Sequence, residues 1–106
     1  VLRTLAELIR ANLRNSDLVS RYGGEEFCCI LPETNIDQAL VIAERCRTTV
    51  EDQMFEHQEV SAKITISIGV AEMTSHITSP AVLIEKADQA LYEAKRGGRN
   101  RIVAAV

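Results

Sequence analysis

Apolar residues recur at three- and four-residue intervals at the start of the chain: Leu2, Leu5, Leu8, Ile9 and Leu13. That period lays one stripe along a helix and predicts helix over residues 1–14. The pattern then changes, and residues 18–22 and 25–31 read as two strands. The "GG" between them has the form of a two-residue hairpin loop needing positive φ. Asn35, with Gln38 three residues on, forms a capping box for a second helix. Its stripe is Ala39, Leu40, Ala43, Cys46 and Val50. Residues 51–62 are polar and show no clear period.

"ITISIGVA", residues 64–71, alternates Ile64, Ile66, Ile68 and Val70 with Thr65, Ser67, Gly69 and Ala71. This is a strand, and its small second face predicts that a helix or backbone packs closely there. Ser79-Pro80 opens a third helix by N-cap and Pro-at-N1 logic. Leu83, Ala87, Ala90, Leu91 and Ala94 form its stripe, Gly97-Gly98 ends it, and a last strand covers 101–105. With no repeat, linker or low-complexity run, residues 1–106 read as one domain. The order α-ββ-α-β-α-β predicts an α+β fold, with helices packed on a mainly antiparallel sheet. It resembles a ferredoxin-like split βαβ arrangement without its opening strand. Val1 falls inside a periodic helix where a natural start would carry methionine, so the chain is expected to be part of something longer.

Composition narrows the function. The chain has 106 residues, 46% hydrophobic and 25% charged, with a formal net charge of -3. A net acidic chain lacks the broad basic face of a nucleic-acid or membrane-surface binder. No apolar run approaches the roughly 18 residues of a membrane-spanning helix. The three cysteines are odd in number and lack zinc-ligand spacing. They read as reduced thiols packed in a core. His57 and His76 lie in polar segments and read as surface residues.

Three short stretches carry candidate chemistry. In "RYGGEEF" the glycines suit a turn, but Glu25 and Glu26 side by side repel each other. A bound hard cation such as Mg²⁺ or Mn²⁺ would offset that repulsion, and a solvated acidic turn is the plain alternative. "KRGGRNR" puts four basic residues in seven around a glycine pair. These cations complement a helix carboxyl end. They would equally make a phosphate clamp, with Lys95 as a point charge and Arg99 as a fork. "RNSD", Arg14 to Asp17, reads from its own residues as a helix exit.

Taken together these stretches resemble the GGDEF family, the diguanylate cyclases of bacterial signalling, in its GGEEF form. "RYGGEEF", "TISIGVA" and "ADQALYEAKRGGRNR" stand in family order across essentially the whole chain. The resemblance implies a nucleotide-cyclase palm fold. It also implies condensation of two GTP into cyclic di-GMP and pyrophosphate by a homodimer, with Mg²⁺ or Mn²⁺ as cofactor. By the same resemblance Gly23 and Gly24 would admit the nucleotide. Glu25 would hold metal and activate the hydroxyl, and Glu26 would be a supporting catalytic carboxylate. Lys95 and Arg99 would bind terminal phosphates. Arg14 and Asp17 would form the RxxD inhibitory site for product, and Arg45 would help close it from a neighbouring domain.

The departure from the family is at the front. Its first strand, with a metal-binding aspartate, and its guanine-recognising residues have no counterpart here. That strand normally lies centrally, so the fragment alone is expected to be inactive and to expose unpaired edges. A cytoplasmic location and an attached upstream sensor domain are implied, with no nucleic-acid polymer and no membrane contact by this segment. The competing class is a non-catalytic module that binds cyclic di-GMP or GTP; the intact GGEEF, Lys95 and Arg99 favour the enzyme.

Overall fold

The computed structural model describes all 106 residues. The elements are α1 (Leu2–Ala11), β1 (Leu18–Gly23), β2 (Glu26–Ile30), α2 (Ile36–Asp52), β3 (Met54–His57), β4 (Val60–Lys63), β5 (Ile68–Val70), α3 (Pro80–Arg96) and β6 (Ile102–Ala104). Helix starts follow the local signals. The Asn35 side chain accepts from the Gln38 backbone N–H while the Gln38 side chain accepts from the Asn35 N–H. Ser79 caps α3 by accepting from the Val82 N–H, with Pro80 in the first turn. The first helix ends at Ala11, three residues short of the expected end, and Asn12 caps it. Leu13 lies beyond the helix yet still packs on the core.

The strands form three separate two-stranded ladders. β1–β2 and β3–β4 are antiparallel, and β5–β6 is parallel. α3 is the crossover of a β5-α3-β6 unit, so both strands run the same way beneath it. The helix lies against β5 at Gly69. A Cβ there would meet the Ala87 carbonyl oxygen at 2.1 Å and the Leu91 nitrogen at 2.4 Å. The small face of "ITISIGVA" therefore serves the close helix packing that the alternation implies.

In the middle of the chain two expectations needed correction. The strand expected over 64–71 is a ladder only at 68–70, because residues 64–67 have no strand beside them to bond. Ile64, Ile66 and Ile68 still turn toward the core. The polar stretch 51–62 holds the end of α2 and most of a β3–β4 hairpin. Its loop residues Gln58 and Glu59 both have positive φ, 48° and 67°. Such loops usually announce themselves with Asn-Gly or Asp-Gly, and this one does not.

The central cluster is Leu5, Ile9, Cys46, Val50 and Phe55, joining α1, α2 and β3. Ala90 and Ala94 bury the inner face of α3. All three cysteines are free, but only Cys46 is in the core; Cys28 is half-buried and Cys29 exposed. His57 and His76 are exposed. The chain presents 7259 Å² to solvent, where a folded monomer of this mass presents about 5,900 Å². The excess follows from ladders only two strands wide, whose outer edges and faces are uncovered.

Candidate functional site

The β1–β2 turn is built one residue later than the glycine pair suggests. Gly23 pairs with Glu26, so the two loop residues are Gly24 and Glu25, not Gly23 and Gly24. The register shifts between Arg21 and Gly23, leaving Tyr22 as an extra, exposed residue. Both glycines are needed for their backbone, with φ of 147° and 49°. Space above them is open, since a Cβ at either would meet nothing within 4 Å. Arg21 fixes the turn by donating from Nε to the Gly24 carbonyl at 2.9 Å.

Glu25 thus sits at the exposed tip, where strand alternation no longer governs it. Glu26 begins β2 and meets Lys95 from the last turn of α3, Oε2 to Nζ 3.4 Å. The fold joins two halves of the candidate site that stand 69 residues apart in the chain. Arg99 follows in the loop after α3. Its backbone N–H donates to the Ala94 carbonyl, its φ is 64°, and its exposed side chain makes no hydrogen bond or ion pair within the chain.

Carboxylate oxygens at an open turn suit a hard cation, and Mg²⁺ commonly takes one or two protein carboxylates, with phosphate and water completing its shell. No group of three or more potential ligands forms in this chain. Glu25 and Glu26 therefore fit as a partial ligand set, with Lys95 already balancing one of the two charges.

The "RNSD" turn is more than a helix exit. Asp17 is 1% exposed, the one charged residue in the interior. Its Oδ2 accepts from the Arg14 backbone N–H at 2.8 Å and its Oδ1 from the Arg14 guanidinium at 3.4 Å. Burial by itself would raise the Asp17 carboxyl pKa. The Arg14 N–H and guanidinium, with the charge of Arg10, outweigh burial and hold it below the ordinary value. Arg14 is half-exposed and also donates to the Pro32 carbonyl at 2.9 Å and to Thr34 Oγ1. Arg45, on α2, donates to the carbonyl of Asn12, just ahead of this turn, at 2.8 Å. Within the chain, Arg14, Asp17 and Arg45 lie on one flank, where α1 ends against α2.

Arg10 was not singled out from sequence. It donates to the carbonyls of Arg14 and Asp17 and so braces the turn. The available signal was spacing: Arg10 stands four and seven residues before Arg14 and Asp17, on the last turn of the first helix.

The family model for the diguanylate cyclase GGDEF domain matches residues 1–101. Diguanylate cyclase A of Treponema denticola is 41% identical over 102 residues, 96% of this chain and 28% of that protein. The GGDEF domain of DgcB from Caulobacter crescentus, solved in complex with c-di-GMP, superposes with a TM-score of 0.90 at 35% identity. That match covers 97% of this chain and 61% of that one. The active GGEEF domain of a diguanylate cyclase from Vibrio cholerae gives 0.91 at 32% identity, covering 99% and 66%. With the family model spanning residues 1–101 and solved GGDEF domains sharing its fold, this chain belongs to the diguanylate cyclase GGDEF-domain family.

Proposed function

We propose that the protein containing this chain condenses two molecules of GTP into cyclic di-GMP, releasing two pyrophosphates. The observation carrying this is the meeting of Glu26 and Lys95 at the open GGEE turn. It puts acidic and basic groups beside a backbone with no side chains in the way, as a triphosphate and its cation require. In each half-reaction the 3′-oxygen of one GTP attacks the α-phosphorus of the other. The bond to the bridging oxygen breaks, and pyrophosphate departs with its electron pair.

Gly23 and Gly24 let the nucleotide approach the backbone. Glu25, exposed at the tip, would hold a divalent cation and take the hydroxyl proton, with Glu26 as supporting carboxylate. Mg²⁺ or Mn²⁺ bound there would lower the hydroxyl pKa and offset phosphate charge. Lys95 exchanges its partner Glu26 for the terminal phosphates, and Arg99 adds a fork to them. A second copy supplies the other GTP, which makes the catalytic unit a homodimer. The chain is read as a partial GGDEF domain over residues 1–106, completed by upstream strand and helices. The unpaired ladder edges and the surface excess support that reading. Arg14 and Asp17 form a site for product, which Arg45 of a neighbouring domain helps to close. No helix is long and apolar enough to cross a membrane.

Glu25→Gln in the complete protein tests the proposal. The substitution keeps size and removes the charge the cation needs, so cyclic di-GMP formation should fall about a hundredfold or more. The turn is exposed, so the thermal midpoint should stay within a few degrees. Turnover near wild type would refute Glu25's role.

A further inference from the structure

The loop joining α3 to β6 is gripped from the side by α2. Gly98, Arg99 and Asn100 are successive residues with φ of 122°, 64° and 47°. Left-handed backbone is disfavoured for residues with a Cβ, and here two of the three have one. The Asn100 amide is bonded at both ends. Its Oδ1 accepts from Arg47 Nη1 at 2.9 Å, and its Nδ2 donates to the Glu51 carboxylate. Arginine only donates and a carboxylate only accepts, so the amide has one orientation that satisfies both.

Arg47 is itself held. It donates to both carboxylate oxygens of Glu44, lies 3.6 Å from Glu51, and its side chain is 17% exposed. Glu44, Arg47 and Glu51 recur at three and four residues, one face of a helix. α2 therefore offers a preformed acid-base-acid row, and the loop inserts Asn100 into it.

Arg99 is the residue immediately before Asn100, with its backbone held and its guanidinium unpartnered. Its N–H is tied to Ala94 and its carbonyl accepts from Arg101 Nε at 3.1 Å. We infer that Arg47, Glu51 and Asn100 are positioning residues that hold the loop so that Arg99 faces the terminal phosphates of a nucleoside triphosphate. This rests on the reading of Arg99 as a phosphate ligand given above. Asn100 touches no substrate; it acts through the backbone it shares with Arg99.

The experiment is a double-mutant cycle in the complete protein: Asn100→Gly, Arg99→Ala and the pair, measuring KM and kcat for GTP and the thermal midpoint. Glycine accepts left-handed backbone, so Asn100→Gly removes the clamp while the loop remains able to form. We expect Asn100→Gly to raise KM about tenfold, with kcat falling less and the midpoint moving little. Arg47→Ala should do the same, and Arg47→Lys should restore part of the loss, since it can still donate to the amide. In the Arg99→Ala background, Asn100→Gly should add almost nothing. A KM increase that persists in full without Arg99 would overturn the inference, as would a lowered midpoint with KM unchanged. An Arg99→Ala protein with normal KM would instead refute the phosphate reading itself, a separate and recognisable result.

Discussion

Gly69→Ala adds one methyl group where α3 crosses β5, and the structure gives the size of the conflict. The new Cβ would lie 2.1 Å from the Ala87 carbonyl oxygen, 2.4 Å from the Leu91 nitrogen and 2.9 Å from the Leu91 Cα. All three are helix backbone, which cannot turn aside as a side chain could. To bring the closest contact to 3.0 Å, helix and strand must separate by about 0.9 Å. Ala90 and Ala94, 3% and 0% exposed, sit on the same face of α3 and would lose packing as it lifts. Overpacking of this kind costs about 1–3 kcal/mol, and the backbone contacts put this case at about 3. At about 4–8 °C per kcal/mol for a domain of this size, the thermal midpoint should fall by about 12–24 °C. Urea unfolding of the complete domain should show a lower midpoint at unchanged slope. Because α3 carries Lys95 and leads to Arg99, GTP affinity should weaken in the protein that remains folded. A loss under about 1 kcal/mol would refute the reasoning, by showing that α3 can withdraw from β5 at little cost.

The product-site flank gives three further predictions. Arg14→Ala should weaken cyclic di-GMP binding by about tenfold to a hundredfold, since charge-assisted hydrogen bonds contribute about 1.5–3 kcal/mol each. Initial cyclase rates should be nearly unchanged, because Arg14 bonds the Pro32–Thr34 segment and Asp17, away from the GGEE turn. Calorimetric titration decides it, and unchanged affinity would reduce "RNSD" to a structural turn. Asp17→Ala should destabilise the fold by about 1–3 kcal/mol through the unpaired Arg14 N–H and guanidinium it leaves. Asp17 also makes stability depend on pH. Its folded-state pKa lies below the ordinary 3.8, so its contribution is present above that value and lost as pH falls through the folded pKa. Between about pH 5 and about pH 2, wild type should therefore lose more stability than Asp17→Asn, as read from urea midpoints. Equal losses would mean that folding leaves the Asp17 pKa unchanged.

Much of this molecule was legible in its sequence because the signals are local. The caps at Asn35 and Ser79 act within three residues, and the stripes of α2 and α3 follow from helical period alone. The GGEE turn, Lys95, Arg99 and "RNSD" were visible as short motifs, and Gly69 was visible as a small residue on a strand's second face. What the sequence left open depends on partners distant along the chain. Gln58-Glu59 takes a glycine-like turn because β3 and β4 pair around it, and no residue there announces the fact. The loop of the first hairpin shifts by one residue because cross-strand pairing sets Gly23 against Glu26 and extrudes Tyr22. Ile64 and Ile66 alternate like a strand, yet a ladder needs a neighbour, and only 68–70 has one. Asp17 looks like an exposed turn residue until the end of α1 and the strand after it enclose it with Arg10 and Arg14. Glu26 meets Lys95, and Asn100 meets Arg47 and Glu51, across separations of about 50 to 70 residues that no period or cap can encode. Local chemistry determined the three helices, the first hairpin and where the charged motifs sit. Packing of α3 on β5 and of α2 against the last loop decided which of those charges face one another.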